Sequence, residues 1–364
     1  MLSVVKLLLV AHFIISISPV WGQEGWEKQW NQILDAGQKE GKVVVATSPD
    51  EVMREIAAKF KARYGITVEH LAGRSSETIA RVRRERAAGV SSVDVFMSGI
   101  ENMVWELYPE KFIDPLKPLL LLPEVTDGAK WKKRKVPFVD PEERYVVQPF
   151  SSVSEMLFIN TDHVKREEMR SARDLLNPKW KGKISTDEPT VTGSGLTRAS
   201  ILYTQLGEDF VKQLYVEQKP VRSRDRRQYV DWLARGTYPI CLNCREYDMR
   251  ALLKEGLPLV EIFELSDVRT WVAPGPWNIA VANKAPHPNA AAVFANWMLS
   301  KEGLEIYSKG AGSVTVRNDV DESFLRREII PRPGVNYFDT GDWKWTAKGR
   351  VEAKERLTKS LKAP

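Results

Sequence analysis

The chain has 364 residues, 43% hydrophobic and 28% charged, with a formal net charge of +6. This is ordinary globular composition, long enough for two domains with separate cores. After the N-terminus no run reaches the roughly 20 apolar residues a bilayer span needs. The basic clusters KWKKRK (130–135) and RSRDRR (222–227) are short and separated, which reads as solvated faces and argues against a nucleic-acid partner.

The chain opens MLSVVKLLLVAHFIISISPVWG, with one cation at Lys6, an apolar stretch over 7–17 and a small residue at its close. That pattern predicts a secretory signal peptide over 1–22, removed after Gly22. No cysteine follows the apolar run, so a lipid anchor is not expected. The mature protein is expected to be soluble and exported, in an oxidising compartment where a lone cysteine pair can close.

GKVVVATSPDEVMREIAAKFKARYG then reads as a strand–helix unit. Residues 43–46 are β-branched and apolar, suiting a buried parallel strand. Ser48 ahead of Pro49, Asp50 and Glu51 predicts a capped helix start. Val52, Ile56, Phe60 and Tyr64 form one stripe, flanked by Met53 and Ala57, and Gly65 ends the helix. A strand follows over 66–71. SSETIARVRRERAAG is a second capped helix, and the strand over 93–97 ends at Ser98-Gly99. Further along, strands are predicted at 156–160, 238–242, 259–263 and 277–282. Helices are predicted at 192–206, opened by Gly193-Ser194-Gly195, and at 225–235, with Tyr229, Trp232 and Leu233 toward the core. Others fall around 251–255, at 288–299 and at 302–308. No repeat of fixed period appears. The alternation predicts an α/β sheet fold. Open α/β sheets bind ligands at the carboxyl ends of their strands, and two such lobes face to face form a cleft that closes by hinge motion.

The segment VVVATSPDEVMREIAAKFKARYGITVEHLAGRSSETIARVRRERAAGVSSVDVFMSG resembles the first lobe of periplasmic solute-binding proteins of ABC importers. SARDLLNPKWKGKI, DEPTVTGSGL and NAAAVFANWMLSKEGLEIYSKGAGSVTVRNDV resemble signatures of the ferric-iron-binding branch of that family. The likeness covers roughly 41–320. It implies a type II periplasmic binding fold: two α/β lobes, two crossover segments and a solute in the cleft. The crossovers are expected near 149–155 and 270–276. The lobes are then 23–150 and 151–270, with 271–318 carrying the second crossover and the return to lobe 1. The tail, 319–364, with Trp343, Trp345 and a basic helix, is expected to pack on the outside.

Unpaired N–H groups and positive dipoles at helix starts after strands favour anions. In lobe 1 the candidate ligand residues are Ser48, Arg74, Ser75 and Ser98. In lobe 2 they are Thr192, Gly193, Ser194, Asn243 and Arg245, with Trp277 just past the second crossover. Ser48 and Ser75 also read as plain N-caps, and Trp277 also reads as a packing residue. Arg74 is suited to a bidentate grip on carboxylate or phosphate. Glu101, Asp187 and Glu188 read as isolated, solvated loop acids.

Ferric-binding members of the family carry two adjacent tyrosines after an asparagine. Here the stretch is LNCREY, so Cys244 and Arg245 stand at the tyrosine positions and Tyr247 is out of register. A soft thiol and a cation do not suit Fe(III). No metal site is expected; a single C-x-x-C without nearby histidine is short of a zinc site, and Cys241 and Cys244 are candidates for a local disulfide. The sequence thus predicts a monomeric importer component with no cofactor, which captures a small anionic organic solute and docks on an inner-membrane ABC permease from the periplasm. The alternatives are a ferric or iron–anion binding protein, a receptor-coupled sensor, and an exported enzyme, for which neither G-x-S-x-G nor H-E-x-x-H is present.

Overall fold

The computed structural model describes residues 23–73, 75–191 and 193–361; the leader assigned to 1–22, Arg74 and Thr192 lie outside them. Lobe 1 begins with α1 (Gln23–Glu40), β1 (Lys42–Thr47), α2 (Val52–Tyr64), β2 (Thr67–Ala72) and α3 (Ser75–Ala87). It continues with β3 (Val95–Ser98), α4 (Ile100–Asn102), β4 (Ile113–Asp114) and α5 (Pro123–Thr126). After β5 (Ser152–Val153) comes lobe 2: β6 (Leu157–Asn160), β7 (Ile184–Thr186), α6 (Ser194–Lys212), β8 (Val221–Arg222) and α7 (Arg226–Ala234), then β9 (Ile240–Cys241), α8 (Glu246–Lys254) and β10 (Leu259–Ile262). The chain returns through β11 (Trp271–Ala273) to β12 (Asn278–Ala282), α9 (Pro288–Leu299) and α10 (Lys301–Ala311). The tail adds β13 (Phe338–Asp339) and α11 (Arg350–Ser360).

Lobe 1 holds a five-stranded sheet of order β2-β1-β3-β12-β4, and lobe 2 one of order β10-β6-β9-β7-β8. β1, β2 and β3 run parallel, while β12, which returns from the other lobe, lies antiparallel to β3. β7 is parallel to both β8 and β9. The loops after β1, β2 and β3 therefore leave one end of the first sheet, and those after β7, β8 and β9 one end of the second.

The apolar stripe of α2 buries Met53, Ile56, Phe60 and Tyr64 against the sheet, and α9 is buried on all sides from Ala290 to Leu299. A helix apolar all round belongs in a core. Asp94, fully buried, ties these layers together. Its carboxylate accepts from Val44 N–H (2.7 Å) and His287 N–H (2.7 Å), and it pairs with His287 Nδ1 (2.9 Å). A buried carboxylate is stable only with such partners.

Between the lobes β5 and β11 pair antiparallel, Val153 opposite Val272 and Ser152 opposite Ala273. Trp277 meets Phe150 and Tyr307 edge-on, and those two rings are tilted against each other, with all three centroids 4.9–5.4 Å apart. Gly275, at φ +78°, lets the second crossover pass: an added Cβ would lie 2.4 Å from Phe150 Cβ. The tail does more than pack on the outside. β13 pairs with β11 as a third hinge strand, and α11 lies on α6, sending Leu357 and Leu361 into the lobe 2 core.

Candidate functional site

In lobe 1, Thr47, Gly73 and Ser98, at the ends of β1, β2 and β3, line one small cavity with Thr78. Gly73 N–H donates to the Thr47 carbonyl (3.2 Å), and Ser98 Oγ accepts from Asn102 Nδ2 (2.9 Å). Two expectations change here. Ser48 is exposed and caps nothing, because α2 starts only at Val52. Asp50 takes the capping role, accepting from Val52 N–H (2.9 Å) while its other oxygen holds the Tyr307 hydroxyl. Trp277 is 1% exposed and belongs to the lobe 1 core. Its place is packing beneath the hinge, not the cleft wall. Ser75 is the first residue of α3.

In lobe 2, Gly193 stands before α6 at φ +149°, outside the usual range of L-residues. Gly195 lies so close to the preceding loop that an added Cβ would be 2.3 Å from the Glu188 carbonyl oxygen. Asp187 organises this turn and is not a solvated acid. Its carboxylate accepts from Ser194 Oγ–H (2.6 Å), Gly195 N–H (3.2 Å) and Glu188 N–H (2.7 Å). The start of α6, a natural anion site, thus already holds an internal anion. Asn243, 3% exposed, is also committed internally: Oδ1 accepts from Thr186 Oγ1–H (2.8 Å) and Asp187 N–H (3.1 Å).

Cations gather around these turns. Arg245, half-buried, precedes α8. Its charge acts on Glu155, Arg198 and Asp248. Arg198 is 5% exposed, donates to the carbonyls of Glu155 (2.9 Å) and Met156, and lies 3.9 Å over the Trp271 ring. Burial brings its pKa down to about 10, with Arg245 adding to the effect and Glu155 opposing it. Burial raises the Glu155 carboxyl above the usual range although Arg198 and Arg245 pull it down. Asp248 is raised by burial in the same way, against Arg226 and Arg245.

A polar cavity of about 160 Å³ opens at the start of α6, lined by Asp187, Val191, Gly193, Ser194, Arg224, Arg226 and Tyr229. Arg224, Arg226, Arg198 and Glu155 escaped the sequence reading. The signal for the first two was present: SRDR follows β8 and opens α7, with Asp225 capping Arg227 N–H (2.9 Å). A larger cavity of about 610 Å³ lies between lobe 2 and the tail, lined in part by Arg166, Arg170, Arg269 and Arg332. No strand-end loop named above reaches it, so the smaller cavity is the better solute candidate.

Cys241 and Cys244 form a disulfide, with Cα atoms 5.7 Å apart, and both are buried. The bond leaves neither sulfur free as a thiolate ligand. Among the described residues no group of three or more His, Cys, Asp or Glu is arranged to hold a metal ion. Tyr247 falls within α8. None of the described helices is long and apolar enough to cross a membrane.

Two α/β lobes, each with its own five-stranded sheet, are joined by the paired strands β5 and β11. The family model for bacterial extracellular solute-binding proteins matches residues 42–310, and the chain belongs to that family. Its fold is the type II periplasmic binding fold. Iron uptake protein A1 of Synechocystis is 25% identical over 130 residues, a match spanning 36% of this chain and 32% of that protein. A Trichodesmium protein (IdiA, FutA) solved with iron and citrate superposes with a TM-score of 0.67 at 19% identity, covering 88% of this chain and 99% of that one. AfuA from Actinobacillus pleuropneumoniae, with exogenous fructose-6-phosphate bound, gives 0.61 at 18% identity, over 89% and 99%.

Proposed function

We propose that the protein captures a small anionic organic solute between its lobes and delivers it to an inner-membrane ABC permease, as a monomer exported to the periplasm after loss of its leader. The observation that carries this reading is the arginines that follow β8 and β9: Arg224 and Arg226 line the cavity at the start of α6, and the charges of Arg226 and Arg245 both act on Asp248. Because Asp187 already occupies the start of α6, the anion is assigned to the Arg224, Arg226 and Arg245 side, where guanidinium groups grip carboxylate or phosphate bidentately. Arg74, Ser75, Ser98 and Thr192 are proposed as further solute contacts. Capture, closure about β5 and β11, and docking involve no catalytic step.

Fe(III) is the competing ligand, since relatives of the same fold were solved with iron. A phenolate–iron site requires hard anionic oxygens, and this turn presents a disulfide and an arginine where the paired tyrosines would stand. Calorimetry against carboxylates, phosphonates and phosphate esters tests the proposal, with Arg74→Ala and Arg245→Ala as variants. Unchanged affinity in both would sink it. A visible phenolate–iron band after adding ferric citrate would move the assignment to iron.

A further inference from the structure

The chain after residue 310, past the segment the family model matches, touches the two lobes in turn. Glu322 pairs with Lys132 of lobe 1 (2.5 Å), and Arg326 then pairs with Glu261 of lobe 2 (2.7 Å). β13 next joins the hinge sheet. Trp343 packs edge-on against Tyr108 of lobe 1 (5.1 Å), and Trp105 Nε1 donates to the Thr346 carbonyl (3.0 Å). α11 finally settles on lobe 2, where Ser360 Oγ donates to Glu208 (2.5 Å).

At the last crossing stands Arg350, its side chain 4% exposed. One terminal nitrogen donates to Glu101 Oε1 of lobe 1, and the other to Thr197 Oγ1 of lobe 2 (2.8 Å). Its guanidinium carbon sits 5.4 Å from the centre of the Trp105 ring. Glu101 lies in α4, directly after the Ser98-Gly99 turn, and Thr197 lies in the first turn of α6, its hydroxyl donating to the Gly193 carbonyl (3.0 Å). One side chain therefore grips both helix starts that flank the candidate cleft.

We propose that Arg350 is a positioning residue of the solute site, a latch that holds the two ligand-facing turns together. Hinge opening at β5 and β11 carries Glu101 away from Thr197. Arg350 then has to release one partner, losing a charge-assisted hydrogen bond and leaving a desolvated guanidinium short of acceptors. The latch shifts the solute-free population toward the closed arrangement and lowers the ordering cost that a solute meets on binding.

The role at the solute site rests on the interlobe reading above, while the latch itself is testable without any solute. Small-angle scattering of the full mature chain, with no solute added, would compare wild type, Glu101→Gln and Arg350→Lys. Both variants are expected to show a larger radius of gyration than wild type at unchanged secondary-structure content. If Arg350→Lys fails to fold, Glu101→Gln decides, since that side chain is 34% exposed and its change leaves the core intact. A folded Glu101→Gln variant with the wild-type profile overturns the latch. If the variants open while every anion in the calorimetric panel fails to bind wild type, the latch stands and the anion assignment falls.

Discussion

Asn243→Ala tests whether this residue serves the solute directly or the architecture beneath it. Its Oδ1 accepts two hydrogen bonds from the end of β7, and the residue is 3% exposed. On truncation the Thr186 hydroxyl keeps a second acceptor, the Asp187 carbonyl at 3.1 Å. The Asp187 N–H has no such fallback. An orphaned, partly buried donor costs about 1–3 kcal/mol, so a loss of about 2 kcal/mol is expected, roughly a 30-fold change in the folded-to-unfolded ratio. Asp187 also anchors Ser194 and Gly195, so the first turn of α6 should loosen with it. Urea unfolding would give the stability change, and hydrogen exchange would show loss of protection over 187–197. A stability within about 0.5 kcal/mol of wild type, the range of ordinary surface changes, with unaltered protection there, would refute this account.

Gly195→Ala should destabilise by about 1–3 kcal/mol through overpacking, because its Cβ would meet the Glu188 carbonyl; thermal unfolding measures it. Replacing Cys241 and Cys244 together by alanine opens a four-residue loop and should cost about 2 kcal/mol by the chain-entropy relation, read from the denaturant midpoint. Asp339, on the hinge strand, has its carboxyl raised by burial, against the Gly341 N–H bond and Lys133. Its folded form prefers the proton, so its stabilising contribution is complete below the unfolded pKa of about 3.9 and fades as pH rises through the raised folded value. Asp339→Asn, which keeps an acceptor for Gly341 N–H, should match wild type in acid and exceed it in stability at neutral pH. An equal gap at both pH values would count against the burial effect.

Local pattern disclosed the parts of the fold that local physics decides. The β-branched run in β1, the stripe of α2 and the all-apolar α9 each state their burial in a few adjacent residues. Gly193 and Gly195 disclosed a tight turn for the same reason. What pattern missed depends on contacts distant in sequence. The side chain that caps α2 is Asp50 and not Ser48, and its other oxygen binds the Tyr307 hydroxyl, 257 residues away. Asn243 read as a solute ligand until its acceptor proved to be occupied by β7. Glu101 read as solvated because its partner, Arg350, is 249 residues further on. The arginines of the α7 start were visible as charge, but only the parallel pairing of β7 and β8 brings that loop beside the start of α6.

The placement of the first and last described helices offers a practical handle. α1 is fixed to lobe 1, where Glu40 accepts from Asn289 Nδ2 (2.7 Å) and Ala290 N–H (2.7 Å) at the start of α9. α11 is fixed to lobe 2 through α6. A fluorophore on each would ride on a different rigid body, so energy transfer between them would report cleft width directly in an otherwise unaltered protein. The protein could then be screened for its solute by the distance between α1 and α11.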